Sequence, residues 1–200
     1  MANICRLLPV GPCYLVAFSL GGNFALRIAM RQAVTPIPNL KEVFCISPAL
    51  DPHKATLAID AGFPGLRRYF LAKWKRSLRK KQRCFPDLYD FDGILHHRTC
   101  MALTEAIMPY YPEFDDYRDY FRRYTLTGDV LASVALPVTI FTSEDDPVVD
   151  AGDFHQLPRH ANLRLSIQEY GGHCGFLDPF PWGCWYERRI AQIMQAKTQA

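Results

Sequence analysis

The sequence lacks any apolar run approaching the ~20 residues that a membrane-spanning helix needs, and no convincing signal peptide stands at Met1. Both absences point to a cytoplasmic protein. A strong charge of either sign is also missing: 23 Lys and Arg against 20 Asp and Glu leave a formal net charge of +3, which gives no reason to expect a nucleic-acid partner. Patterned cysteine is missing as well. The seven cysteines are odd in number and include no C-x-x-C pair, so they read as reduced thiols rather than as a disulfide framework or a zinc site. No internal repeat and no low-complexity linker occurs. Apolar material, by contrast, is plentiful: 49% of the 200 residues are hydrophobic and 13% aromatic, enough for a real core and too much for disorder.

Residues 1–12 form a short lead-in punctuated by Pro9, Gly11 and Pro12. Strand-length apolar runs follow at 13–17, 42–47, 137–142 and 163–169. Helical patterns occupy about 22–33 and 182–196. Between His53 and Val134 no strand signal appears, and helices are expected at 54–61, 66–82, 98–108 and 115–125. Strands alternating with helices predict a mostly parallel α/β sheet, with the long helical stretch inserted between two strands. The expected organisation is therefore a core segment 1–52, a helical cap insertion 53–134, and a second core segment 135–200.

The most informative stretch is Tyr14-Leu-Val-Ala-Phe-Ser-Leu-Gly-Gly-Asn23. A short apolar run ends in Ser19 with small residues on both sides, and a helical pattern starts at once. Strand, sharp turn and helix with serine at the apex is the form of a nucleophile elbow, G-x-S-x-G, here Ala17-Phe18-Ser19-Leu20-Gly21 with Ala in place of the first Gly. Strain at the apex requires small residues two before and two after it, and Gly22 allows the helix to pack close to its strand. The helix N-terminus directs backbone N–H groups and the positive dipole end toward an oxyanion at the serine. A plain serine N-cap in a βα turn is the simpler reading of this stretch alone.

Two later turns sharpen the choice. Ser143-Glu-Asp-Asp-Pro-Val-Val149 follows the third strand, and Gly171-Gly-His-Cys-Gly-Phe176 follows the fourth. Serine, acid and histidine then stand in that order, each just past the C-terminal end of a strand, where open α/β sheets bind ligands. These three motifs resemble the YheT-like branch of the α/β-hydrolases, esterase-type serine hydrolases with a helical cap, over essentially the whole chain from Pro12. The resemblance implies an α/β-hydrolase fold and a carboxylic ester hydrolase acting through an acyl-enzyme, on a small-molecule ester or lipid. Ser19 would be the nucleophile, His173 the base and then acid, and Asp146 the residue orienting His173, with Asp145 as the alternative acid. The backbone N–H of Leu20 would supply half of the oxyanion hole. An acyltransferase would use the same triad. No cofactor is implied.

Measured against that family, only eighteen residues precede Ser19, where about four strands and the second oxyanion donor are normally found. The fold is thus expected to be incomplete, resembling a C-terminal half. A lone chain of this kind is expected to be weakly active or inactive, or to act as a non-catalytic form by protein–protein association. An open edge at the elbow strand would invite self-association.

Other features carry simpler readings. Residues 66–83 hold nine Lys and Arg on a helix whose Leu66, Phe70, Trp74 and Leu78 recur every four; contact with an anionic membrane is one reading, and a solvated cap helix with Phe70 and Trp74 packed inward is the favoured one. His96 and His97 are adjacent and lack further ligands at metal-binding spacing, so no metal is expected. Cys174 reads as a neighbour of His173 that shapes the pocket. The aromatic residues between Tyr110 and Tyr124 are expected to be mostly core.

Overall fold

A computed structural model describes residues 11–178 and 182–198. Two compact units emerge: residues 1–50 with 126–200, and residues 51–125. The expected cap boundary at 134 differs from the second of these limits, because Leu126, Leu131 and Val134 are buried with the sheet-bearing unit.

The first unit is built on four parallel strands, β1 (Cys13–Phe18), β2 (Leu40–Ile46), β3 (Val138–Ser143) and β4 (Leu163–Gln168), hydrogen-bonded in the order β1-β2-β3-β4. Helix α1 (Ser19–Arg31) connects β1 to β2. The central strands behave as parallel strands covered on both faces should: β3 is buried throughout and β2 is buried except at Lys41. Successive residues of β2 alternate faces. Cys45 donates its thiol to the Gly22 carbonyl of α1 at 3.5 Å. Phe44 and Ile46, on the opposite face, join Phe141, Phe176, Tyr186 and Ile190 in one apolar cluster. Tyr186 and Ile190 belong to the C-terminal helix described below, so helices cover both faces.

Register fixes where the strands end. Phe18 pairs with Ile46, Ile46 with Phe141, and Ser143 with Gln168. The turns that follow β1, β2, β3 and β4 therefore gather along one edge of the sheet. β1 is an outer strand; among the described residues it pairs with β2 alone, and Val16 and Phe18 are each about two-fifths exposed, at 41% and 42%.

The second unit holds helices α2 (Pro52–Ala61), α3 (Pro64–Cys84), α4 (Cys100–Ile107) and α5 (Tyr117–Tyr124), with a 3-10 turn at Met108–Tyr110. Asp51 caps α2 by accepting from the N–H groups of His53 and Lys54, and Thr99 and Asp116 cap α4 and α5 in the same way. The Asp60 carboxylate adds bonds from the N–H groups of Cys100 and Met101, at 2.7 and 2.8 Å. Leu71 and Leu78 of α3 pack with Phe91, Cys100, Leu103 and Ile107, and Phe70 and Trp74 lean on this cluster. Among the described residues no strand occurs between 53 and 134.

After β3 the first unit continues with the short α6 (Ala151–His155), β4, a two-residue hairpin β5 (Leu177–Asp178) and β6 (Gly183–Cys184), and α7 (Trp185–Thr198). The C-terminal helix thus starts at Trp185; 183–184, expected as helix, form strand β6. No helix among the described residues is long and apolar enough to cross a membrane.

Candidate active site

Ser19 occupies the first position of α1, directly after β1, with φ +50°. Residues other than glycine rarely adopt this left-handed region, and the strain persists only where the surroundings enforce it. They do so here through the loop after β2. The Ala49 N–H donates to the Ser19 carbonyl at 3.1 Å, and the Asn23 side-chain amide donates to the Ala49 carbonyl at 2.7 Å. A Cβ on Gly22 would lie 2.8 Å from Pro48 Cβ and 3.0 Å from its Cα, so helix and loop can close only over a glycine. Gly21, expected to be the tight position, has nothing within 4 Å of such a Cβ. The close approach that shapes the turn lies one residue later.

The acid comes from the turn after β3. Asp146 Oδ1 accepts from the N–H groups of Val148 and Val149, at 2.8 and 3.1 Å, which fixes the carboxylate in place. Its side chain is fully buried. Its neighbour Asp145 points elsewhere: Oδ1 accepts from the N–H groups of Gly171 and Gly172, at 2.9 and 2.8 Å. Asp145 therefore holds the loop after β4, and it makes no contact with the histidine of that loop among the hydrogen bonds of the described residues.

That loop is held at several points. Ser143 Oγ donates to the Gly172 carbonyl at 3.2 Å, the Cys174 N–H donates to Ser47 Oγ at 3.4 Å, and the Phe176 N–H donates to the Gly171 carbonyl at 2.8 Å. Gly172, Cys174 and Phe176 all have positive φ, as does the buried Ser47. The Cys174 thiol donates to the Ile46 carbonyl at 3.6 Å. So constrained, His173 bridges two turns: Nε2 lies 2.9 Å from Ser19 Oγ, and Nδ1 lies 3.1 and 3.0 Å from Asp146 Oδ1 and Oδ2. The loops after β1, β3 and β4 thus bring together Ser19, Asp146 and His173, three residues singled out from sequence.

Burial would depress the His173 imidazole, but its bonds to Asp146 and Cys174 outweigh burial and raise it to about 9. Burial pushes the Asp146 carboxyl upward, yet the His173 bond and the Val148 and Val149 N–H groups leave it below the usual carboxylate value. The two shifts agree in describing a charge-favouring pair. Leu20, the remaining expected residue, sits in the first turn of α1, where backbone N–H groups have no intrahelical acceptor. Among the described residues no side chain caps that turn and no acidic residue lies in it, so the positive end of the helix dipole is directed at Ser19. No group of three or more His, Cys, Asp and Glu that could hold a metal occurs among the described residues; the His96 and His97 rings are tilted against each other with centres 4.3 Å apart.

No family model matches the chain. It is 29% identical over 198 residues to human Protein ABHD15, a match covering 96% of this chain and 41% of the relative. It is also 29% identical over 147 residues to mouse Phospholipase ABHD3, covering 67% of this chain and 34% of that one. Among solved structures, a mutant of the meta-cleavage product hydrolase CumD superposes with a TM-score of 0.50 at 12% identity, over 98% of this chain and 69% of that chain. The chain has the α/β-hydrolase fold. It spans about two fifths and one third of the lengths of the two curated relatives, and its four parallel strands with flanking helices are an incomplete α/β-hydrolase fold. The narrower YheT-like assignment rests on the three sequence motifs.

Three contributors to the site are not legible in the sequence. Asp145 reads from sequence only as an alternative acid, because adjacent aspartates in a turn do not reveal which one faces the histidine. Ser47 ends an apolar strand and carries no motif. Asn23 was visible in Ser-Leu-Gly-Gly-Asn, but its role depends on a loop 26 residues further along.

Proposed function

We propose that the chain is a serine hydrolase of carboxylic esters, with Ser19 as nucleophile, His173 as general base and acid, and Asp146 as the group that orients His173. The observation that carries this reading is the unbroken hydrogen-bonded line Ser19 Oγ–His173–Asp146 at 2.9 and 3.0 Å. With Nδ1–H donated to Asp146, the Nε2 lone pair faces the serine and accepts its proton as Oγ attacks the ester carbonyl carbon. The resulting imidazolium is stabilised by the buried carboxylate. Negative charge develops on the carbonyl oxygen, where the Leu20 N–H and the α1 dipole stabilise it. His173 then protonates the departing alkoxide, leaving an acyl-Ser19 that water hydrolyses by the same steps in reverse.

One oxyanion donor is worth roughly a hundred- to a thousand-fold in rate. With Leu20 as the one donor assigned in this chain, acylation by a reactive probe is expected to outpace ester turnover. The test is covalent labelling of the purified chain by a fluorophosphonate, beside Ser19→Ala. Labelling abolished by the substitution supports the reading; no labelling of demonstrably folded protein refutes it.

A second reading, association without catalysis, is favoured by the exposure of Val16 and Phe18 on the outer strand β1. Light scattering over a concentration series would show a rising mass if β1 pairs between chains, and a constant monomer mass would remove this reading.

A further inference from the structure

Helix α3 carries nine Lys and Arg and no acidic residue, yet its cations are not equivalent. Lys81 is committed within the unit: Nζ donates to Tyr111 Oη at 2.8 Å and lies 4.0 Å from the Tyr89 ring centre and 4.7 Å from that of Tyr111. Arg67 donates to the Asp60 carbonyl at 2.7 Å, and Lys73 lies over the Tyr69 ring. Arg76, Arg79 and Arg83 have no such engagement; among the described residues none of them forms an ion pair. They recur at i, i+3 and i+7 and so share one face of the helix. Favourable interaction with the C-terminal dipole accounts for Arg83 alone, since that effect fades within the last turn.

These three arginines, with Gln82 and Asp92, line a cavity of about 300 Å³. The wall opposite the helix is held in place by Gln82, whose Oε1 accepts from the Phe91 N–H at 2.6 Å; that fixes the residue preceding Asp92 and leaves only the donating NH2 of Gln82 for a ligand. Phe91 is fully buried, so the wall is anchored in the core of this unit. The cavity is thus lined by three guanidinium forks and one amide donor, against a single carboxylate that forms no ion pair with them. Planar forks that bind two oxygens at once match the tetrahedral oxygens of a phosphate better than a point charge does.

We propose that this cavity is a phosphate-binding site, taking a phosphomonoester or inorganic phosphate between Arg76, Arg79 and Arg83, with the Gln82 amide as a neutral donor and Asp92 as the group that weakens binding by repelling the anion. The site lies wholly within residues 51–125 and does not depend on the proposed ester chemistry.

The test is calorimetric titration of the whole chain with inorganic phosphate. Saturable binding is expected to weaken at least roughly tenfold in a combined Arg76→Gln, Arg79→Gln and Arg83→Gln variant, since each charged hydrogen bond lost is worth that much or more. A combined Arg68→Gln, Lys75→Gln and Lys80→Gln variant removes equal charge from the same helix and is expected to change affinity less than about threefold. Asp92→Asn is expected to tighten binding, a gain that cannot come from misfolding. Absence of saturable binding, equal losses in the two triple variants, or weaker binding by Asp92→Asn each overturns the proposal. Flotation with phosphatidylcholine vesicles, with and without phosphatidic acid, then separates the sources. Recruitment by phosphatidic acid that is lost with the Arg76 triple variant identifies a lipid phosphomonoester. Calorimetric binding without such recruitment identifies a soluble phosphate.

Discussion

Replacing Asp146 with alanine, and separately Asp145 with alanine, tests whether two adjacent carboxylates divide the work as their hydrogen bonds indicate. Asp146 holds His173 Nδ1 through both oxygens. Without it the imidazole loses its fixed tautomer, a change worth on the order of 10³- to 10⁴-fold in serine reactivity. Asp145 accepts two backbone N–H groups of the histidine loop, and its exposure to water discounts each to about 1 kcal/mol. Losing both amounts to about 2 kcal/mol, or roughly 30-fold at 1.4 kcal/mol per decade. The assay is the second-order rate of fluorophosphonate labelling as a function of pH. Only neutral imidazole can take the serine proton, so the wild-type rate should rise with pH through about 9, the raised value of His173. In Asp146→Ala the inflection should fall toward or below the ordinary histidine value of 6.5, because burial is left to act without its main opponent. In Asp145→Ala the inflection should stay, with only the plateau lowered. Equal losses in the two variants, or an unmoved inflection in Asp146→Ala, would refute the assignment.

Three further outcomes follow from the same geometry. Gly22→Ala should cost roughly 1–3 kcal/mol, since the new Cβ meets Pro48 at 2.8 Å, whereas Gly21→Ala should be neutral or stabilising by up to about 1 kcal/mol; urea unfolding midpoints distinguish them. Ser19→Gly should be more stable than Ser19→Ala by about 1 kcal/mol, because only glycine relieves the strain of φ +50°, while both abolish labelling. The His173–Asp146 pair should also leave a signature in stability against pH. His173 is raised, so its contribution is full below 6.5 and fades as pH climbs through about 9; Asp146 is lowered, so its contribution is present above 3.8 and fades as pH falls through its folded value. The melting-temperature difference between wild type and Asp146→Asn should therefore be widest between those two limits and shrink on either side.

Much of this arrangement was legible because local signals coincided with global ones. The continuous apolar runs of β2 and β3 announce strands buried on both faces, and Ser19, Asp146 and His173 each stand in the turn that follows a strand. Ends of elements were less legible. Helix α1 starts at Ser19 itself rather than at Gly22, since the left-handed serine turn feeds straight into helix. β2 stops at Ile46 because Ser47 adopts positive φ, which nothing in Cys-Ile-Ser-Pro foretells. The hairpin of β5 and β6 comprises two residues per strand, too short for any periodicity. Residues 66–83 announce a basic amphipathic helix, but the cavity beside Arg76 and Arg79 depends on a loop folded back by Gln82, a contact between residues nine apart without a motif.

The path of the chain between β2 and β3 has a consequence for how such molecules can change. The Leu126 N–H donates to the Leu50 carbonyl at 2.7 Å, so the backbone leaves the sheet-bearing unit and returns to it at the same spot. Residues 51–125 are thus one closed excursion of the chain. Closing a longer or shorter loop at that spot alters its entropy only logarithmically, and the pairing of Val43 with Val138 is set beyond it. The helical segment is therefore free to be enlarged, trimmed or exchanged without shifting the register that aligns Ser19, Asp146 and His173.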